Sequence, residues 1–262
     1  MNKAIVYITN LEYLNLFKIS LYSLITHNNV LCPVVVFYDT KKTLEELKKI
    51  KNKLKNINFI FKKLKLKSYE KLNFFNKNRD WALSPATRFE IFNLKYDKIL
   101  YLDCDTLIVD NIEDIFNNKG SFVACKLNTT ISHKYAQQNG FNAGVLLIGK
   151  KFLKTTVYKK LIKFTYLNKN ISGNQIILNS FFSKHVNFIS QIYNVTSDLL
   201  TEKLLNEGKI FHFIGDKKPL NNLQDSFNEY VCQNTGLAIL SRLYLKYSLY
   251  KNKAYCFFSS AG

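Results

Sequence analysis

The chain has 262 residues, of which 47% are hydrophobic, and it carries a formal net charge of +19. A chain of this size and composition builds one sizeable core, and it has no run of about 18 apolar residues that would predict a membrane-spanning helix. The charge would suit nucleic acid, but the excess is almost entirely lysine, spread over whole helices without a recognition motif, so we predict no nucleic-acid partner.

Apolar runs and helical spacings alternate along the first third of the chain. They predict strands at residues 4–8, 34–38 and 57–61, and helices at residues 13–25 and 43–54. This order of strands and helices favours an α/β fold with a mainly parallel central sheet flanked by helices.

The rest of the chain adds further elements and a basic tail. Ser84 as N-cap and Pro85 in the first turn predict that a helix begins there. Later strands are predicted at residues 99–102, 121–125, 143–149, 186–189 and 210–213, with helices at residues 152–166 and 174–182. We expect residues 1–222 to form the main domain. We expect residues 223–262 to form a helical, basic and aromatic segment that either packs on the sheet or lies on an anionic membrane.

The five cysteines are dispersed and form no CxxC pair. An odd, scattered set is typical of reduced thiols. The sequence after Met1 lacks the apolar core of a signal peptide, because Glu12 and Lys18 interrupt it. We therefore expect a cytoplasmic protein, with peripheral contact at the inner face of an anionic membrane.

The apolar run at residues 99–102 ends in two acids, Asp103 and Asp105, which are one residue apart. On an extended strand, side chains at positions i and i+2 point to the same side, so two negative charges would lie together at the edge of the core. A divalent metal that carries a phosphate ligand is a common way to stabilise such a pair. Asp-x-Asp alone is a weak motif, and the alternative is that Asp105 and Thr106 simply begin a turn.

Three downstream groups contain residue types that can complete such a site. His212 follows a predicted strand and is a candidate third metal ligand, while Gly215 and Lys218 are candidates for contact with a phosphate. Asn142 lies in the sequence Phe-Asn-Ala-Gly before a predicted strand, and Gln175 lies at the start of a predicted helix. Each group also has a purely structural interpretation: a loop histidine in a lysine-rich turn, a hairpin turn and an N-cap.

Taken in chain order, these groups resemble glycosyltransferase family 8. The resemblance rests on a first strand, then Arg88, Asp103-Cys-Asp105, Phe-Asn-Ala-Gly at 141–144, Asn174-Gln175 and His-x-x-Gly-x-x-Lys-Pro at 212–219. It covers roughly residues 4–220 and implies a retaining, metal-dependent enzyme with a GT-A type nucleotide-sugar-binding fold.

The resemblance also implies roles for individual residues. Asp103, Asp105 and His212 match the family's ligands for Mn²⁺ or Mg²⁺, which bridges the diphosphate of a UDP-sugar. Gln175, preceded by Asn174, matches the catalytic position on the face of the donor's anomeric carbon. The positions that match contacts with the UDP-sugar donor are Ile8, Thr9, Asn10, Tyr13, Arg88, Asp103, Cys104, Asp105, Asn142, Ala143, Gln175, His212, Gly215 and Lys218.

The implied reaction transfers a hexose, glucose or galactose, from the UDP-sugar to an oligosaccharide or a lipid-linked saccharide. By analogy with the family, the product would belong to lipopolysaccharide or another surface polysaccharide. The family has no agreed carboxylate nucleophile, and Gln175 is a poor one. We therefore expect the acceptor to attack from the front face, with the leaving phosphate as the base.

Two other functions remain open from the sequence. A haloacid-dehalogenase-type phosphatase also has Asp-x-Asp after an apolar strand, but there the motif usually opens the chain, and its threonine lies two residues beyond the second Asp. Here Thr106 is adjacent to Asp105. A catalytically inactive GT-A relative is the other alternative, because Asn10 and Asn174 stand where the family usually has acids, and Leu220 stands where an aromatic residue is common.

Overall fold

The computed structural model describes residues 1–65, 85–127, 140–168, 174–197, 199–214 and 236–259. Its strands are β1 (Lys3–Thr9), β2 (Val34–Tyr38), β3 (Phe59–Lys63), β4 (Lys98–Leu102), β5 (Thr106–Ile108), β6 (Phe122–Lys126), β7 (Phe141–Gly149), β8 (Asn187–Ile189), β9 (Val195–Thr196) and β10 (Ile210–His212). Seven of them form a central sheet in the order β3-β2-β1-β4-β7-β6-β8, and β5, β10 and β9 form a smaller sheet.

The central sheet is mainly parallel, as the sequence predicted, with one exception. Strand β7 runs antiparallel to both of its neighbours, β4 and β6. It also begins two residues earlier than the predicted strand, at Phe141. The strand predicted at residues 143–149 is confirmed, and because it begins earlier it also includes Asn142, so the alternative interpretation as a hairpin turn was wrong.

The helices of the described chain cover both faces of the sheet. They are α1 (Leu14–His27), α2 (Lys41–Lys53), α3 (Thr155–Leu167), α4 (Asn174–Phe182), α5 (Glu202–Glu207) and α6 (Gly236–Ser259), with 3₁₀ helices at Pro85–Asn93, Glu113–Asn117 and Gln191–Tyr193. The helix predicted from Pro85 thus forms as a 3₁₀ helix. The predicted N-cap, Ser84, lies outside the described residues.

Alternating side chains of the central strands contribute to two hydrophobic clusters, one on each face of the sheet. In β1, Ile5 and Tyr7 belong to one cluster, and Ala4 and Val6 belong to the other. Both sets are buried because helices cover both faces, which explains why the central strands are continuous apolar runs in the sequence.

Helix α6 packs against the same face as α1. Leu243, Tyr247 and Ala254 are buried in the cluster that contains Phe213, and the rings of Tyr247 and Phe213 lie 5.0 Å apart in an edge-to-face arrangement. The side chain of Tyr250 is hydrogen-bonded to His27 on α1. Within the described residues, no helix combines the length and the apolar character that crossing a bilayer requires.

Candidate active site

The two acids lie in a turn that joins the two sheets. Strand β4 ends at Leu102, and the backbone N–H of Asp103 donates to the carbonyl of Gly144 on β7 (2.8 Å). The Thr106 hydroxyl, at the start of β5, donates to the Asp103 carbonyl (2.8 Å). The carboxylates thus converge because the chain turns at residues 103–105, and not because residues i and i+2 share one side of an extended strand, as the sequence predicted.

His212 reaches the acids from the last position of β10. Strand β10 pairs with β5, and His212 lies opposite Thr106. The imidazole Nε2 is 3.3 Å from Oδ1 of Asp105 and 3.7 Å from Oδ2 of Asp103. One ligand atom from each of the three residues lies within 4.8 Å of the others, so this group can hold a metal ion. Two carboxylates and one imidazole are ligands that divalent metal ions accept in proteins.

The opposite side of the His212 ring contacts a residue that the sequence analysis did not select. Nδ1 of His212 lies 3.1 Å from Oδ1 of Asn194, and Nδ2 of Asn194 donates to Oδ1 of Asn142 (3.0 Å). Asn142 and Asn194 are both buried. Asn142, predicted to contact the UDP-sugar donor, therefore uses its amide oxygen to accept a hydrogen bond from Asn194, which in turn contacts His212.

Arg88 provides the positive charge beside Asp103. Its Nη2 lies 2.6 and 2.9 Å from the two carboxylate oxygens, and its Nε donates to the hydroxyl of Tyr101 (3.1 Å). The Tyr101 hydroxyl donates in turn to Oδ1 of Asp103. Burial raises the pKa of Tyr101 well above its ordinary value, so this hydroxyl keeps the proton that it donates.

The Arg88 guanidinium remains charged in this buried setting. Burial alone would lower the pKa of Arg88, but the Asp103 carboxylate and the Tyr101 hydroxyl raise it above its ordinary value. Asp103 is therefore held in one orientation by a cation and a hydroxyl, with its second oxygen directed towards His212.

The end of β1 lies next to the acid pair. The Cys104 thiol donates to the carbonyl of Ile8 (3.1 Å), so the buried side chain of Cys104 joins the acid turn to the end of β1. Thr9 is also fully buried. Asn10 is partly exposed, and its Oδ1 accepts a hydrogen bond from the backbone N–H of Tyr13 (2.9 Å).

The predicted catalytic position lies where α4 meets β7. Oε1 of Gln175 accepts from the backbone N–H of Ala143 (3.3 Å). One turn later, Asn179 is hydrogen-bonded to both the N–H and the carbonyl of Phe141, which fixes the helix to the strand. The backbone of Asn174 begins α4, but its side chain is outside the described part of the structure.

Two predicted phosphate contacts, Gly215 and Lys218, lie outside the described residues. The range that contains β10 ends at Ile214. Among the described residues, the structure brings together Asp103, Asp105 and His212, and places Arg88 against Asp103.

Comparison with known proteins gives a family match over most of the chain. The family model described as Glycosyl transferase family 8 matches residues 4–223. Glycosyltransferase GlyA of Streptococcus pneumoniae is 31% identical over 137 residues, which is 48% of this chain and 20% of GlyA. The chain spans only 18% to 38% of the length of the curated relatives that it matches.

Solved structures agree on the fold. The crystal structure of glycosyltransferase GlyE from Streptococcus pneumoniae has a TM-score of 0.63 and 22% identity, over 93% of this chain and 64% of GlyE. The galactosyltransferase LgtC, in complex with donor and acceptor sugar analogs, has a TM-score of 0.69 and 18% identity, over 95% of each chain. The predicted GT-A fold is therefore confirmed.

Proposed function

This chain belongs to glycosyl transferase family 8, and from that membership we propose that it transfers a hexose, glucose or galactose, from a UDP-sugar to a saccharide acceptor. The observation that carries the proposal is the convergence of Asp103, Asp105 and His212 within 4.8 Å. The likeness to LgtC, which was solved with donor and acceptor sugar analogs, supports the same class of substrates.

The donor set fits a divalent cation. Asp103, Asp105 and His212 would hold Mn²⁺, or Mg²⁺ in its place, because both ions accept carboxylate oxygens and Mn²⁺ accepts imidazole readily. When bound, the ion would supply positive charge that stabilises the diphosphate leaving group. Arg88 fixes Asp103 before any ligand binds. The Asp103 carboxylate therefore needs little reorganisation when an ion binds.

The surrounding residues would bind and orient the donor. We assign the uracil and ribose to the end of β1, at Ile8, Thr9, Asn10 and Tyr13, beside the backbone of Cys104. Asn10 already accepts a hydrogen bond from the Tyr13 backbone, a role that an amide performs as well as an acid does. Gly215 and Lys218 follow His212 in the sequence and would bind the diphosphate.

The configuration of the anomeric carbon would be retained by front-face attack of the acceptor. Gln175 lies against the backbone N–H of Ala143, and its amide is a poor nucleophile but a good orienting group. Asn174, just before it, is neutral as well. The leaving phosphate would take the acceptor's proton. A covalent sugar adduct on the protein, trapped and found by mass spectrometry, would contradict this route.

We also propose that the transferase domain comprises residues 1–222 and that residues 223–262 bring it to an anionic membrane, where a lipid-linked or surface polysaccharide acceptor is assembled. On α6, Leu245, Leu249 and Lys253 follow one another at intervals of four residues, and all are exposed. Leu245 and Leu249 are 63% and 54% exposed. Such a basic, apolar stripe suits the headgroup region of an anionic bilayer.

Vesicle co-sedimentation tests this membrane contact. The protein should sediment with phosphatidylglycerol vesicles and not with phosphatidylcholine vesicles. The double variant Leu245→Glu/Leu249→Glu should lose most of this binding. Leu31→Glu is the matched control, because Leu31 is 85% exposed and is not part of α6. Equal binding by all three proteins would contradict the assignment of α6.

A screen of UDP-sugars with different divalent ions tests the proposed reaction. We expect release of UDP from UDP-glucose or UDP-galactose that requires Mn²⁺ or Mg²⁺ and increases when a saccharide acceptor is added. Release of phosphate from p-nitrophenyl phosphate, without UDP release, would instead support a phosphatase. Absence of turnover with every donor would support an inactive relative of the family.

A further inference from the structure

The side-chain amides of Asn142 and Asn194 and the imidazole of His212 form a buried hydrogen-bonded chain that begins at a backbone N–H. The N–H of Gly144 lies 2.9 Å from Oδ1 of Asn142, whose side chain contacts Nδ2 of Asn194 at 3.0 Å. Oδ1 of Asn194 then lies 3.1 Å from Nδ1 of His212. Asn142, Asn194 and His212 are 5%, 1% and 5% exposed, so water does not replace these bonds readily.

The direction of every bond in this chain follows from the first one. A backbone N–H only donates, so the atom of Asn142 that faces Gly144 must be the oxygen. That oxygen only accepts, so Asn194 must present its NH₂ group to Asn142. The remaining atom of the Asn194 amide is then its oxygen, which also only accepts. His212 must therefore carry a proton on Nδ1.

We propose that Asn194 is a positioning residue that holds His212 in its Nδ1-protonated tautomer, with the lone pair of Nε2 directed at Asp103 and Asp105. A neutral imidazole has one N–H, so fixing the proton on Nδ1 leaves Nε2 free to bind a metal. The inference rests on the proposed function, because it names Asn194 as the residue that positions His212, one of the proposed metal ligands. The tautomer itself does not depend on the reaction.

Nuclear magnetic resonance of the metal-free protein labelled with ¹⁵N-histidine reports the tautomer directly. Spectra record which ring nitrogens carry a proton, and the absence of one signal set in His212→Gln identifies His212 among the four histidines. We expect a proton on Nδ1, where the hydrogen-bond chain requires it. A wild-type spectrum in which Nδ1 carries no proton would overturn the proposal without any variant being needed.

Variants separate a positioning role from a merely structural one. Asn194→Leu should lose the preference for Nδ1–H, because it removes the only oxygen described as accepting from Nδ1. Asn28→Leu is the matched control. Asn28 is also buried and bonds Leu24 and Ile112, but it lies away from His212. Retention of the wild-type tautomer in Asn194→Leu would overturn the proposal.

Affinity for Mn²⁺ alone gives a second readout. By electron paramagnetic resonance, Asn194→Leu should bind Mn²⁺ about 10- to 100-fold more weakly than wild type, and Asn28→Leu should bind it as wild type does. If the tautomers behave as expected but wild type binds no Mn²⁺, the metal-dependent function fails while the role of Asn194 stands. Equal Mn²⁺ affinities in wild type and Asn194→Leu would contradict a positioning role.

Discussion

Gly144 lies directly against the imidazole of His212. A Cβ atom built at Gly144 would come within 2.0 Å of Cε1 and 2.5 Å of Nδ1 of the ring, distances that real Cβ atoms do not show. His212 can therefore face the two aspartates only because β7, which lies against its ring, has no side chain at position 144.

Gly144→Ala should displace the His212 ring from the acid pair. We expect overpacking to lower the free energy of unfolding by about 1–3 kcal/mol and the Mn²⁺ affinity to fall at least about tenfold. Chemical denaturation and Mn²⁺ titration measure the two effects. Gly149→Ala, on the same strand, is the control, because its Cβ would meet its nearest neighbour at an ordinary 3.4 Å. Equal Mn²⁺ affinities in the two variants would contradict this account.

Arg88→Gln should leave the Asp103 carboxylate without its cation. We expect the free energy of unfolding to fall by roughly 2–3 kcal/mol, less than for a fully buried pair, because the two side chains are 13% and 19% exposed. Addition of Mn²⁺ should restore part of this loss, since the ion replaces the missing positive charge.

Arg242→Gln provides the control for that experiment. Arg242 also contacts both oxygens of a carboxylate, that of Glu202, but the pair is more than half exposed, so its loss should cost less than about 1 kcal/mol. Similar losses in the two variants, with no response to Mn²⁺, would contradict a special role of the Arg88–Asp103 pair.

The contact between α1 and α6 should weaken in mild acid. Burial lowers the pKa of His27 below its ordinary 6.5, with Asp110 opposing the shift and Lys246 adding to it. The unfolded chain then binds this proton more readily than the folded chain does. The stability that neutral His27 contributes is complete above pH 6.5 and is lost as the pH falls through the lowered pKa.

Thermal unfolding between pH 7.5 and pH 5 checks this prediction. The melting temperature of wild type should fall more steeply with decreasing pH than that of His27→Gln, which stays neutral and can still accept a hydrogen bond from Tyr250. Identical pH dependence in both proteins would show that His27 does not titrate on unfolding in this range.

The described cysteines should differ sharply in reactivity. Burial raises the pKa of Cys125 to about 12, and its thiol donates to the carbonyl of Ser190 (3.1 Å). Cys256 is exposed on α6. At pH 8, a thiol reagent should modify Cys256 rapidly and Cys125 only after unfolding, as peptide mapping can show. Modification of both at the same rate in the native protein would contradict the burial of Cys125.

The parallel half of the fold was predictable because helices separate its strands in the sequence. The direction of β7 was not, since an apolar run buried on both faces has the same composition whichever way it runs. The short strands β5 and β9 likewise have too few residues to show a period.

In the candidate site too, some residues could be predicted from the sequence and others depend on contacts made only in the folded chain. The acids and His212 could be selected by residue type and order, although Asp103 and Asp105 converge through a turn. Asn194 could not be selected, because a single asparagine between a 3₁₀ helix and a two-residue strand has no local pattern. Its importance arises from contacts that only the folded chain makes.

Binding of Mn²⁺ in the presence of UDP, measured by electron paramagnetic resonance, tests the central claim that Asp103, Asp105 and His212 form a metal centre. We predict one ion per chain in wild type, at least about 100-fold weaker binding in Asp105→Asn, and unchanged binding in Asp110→Asn, which alters an exposed carboxylate outside the centre. Wild-type affinity in Asp105→Asn would contradict the account.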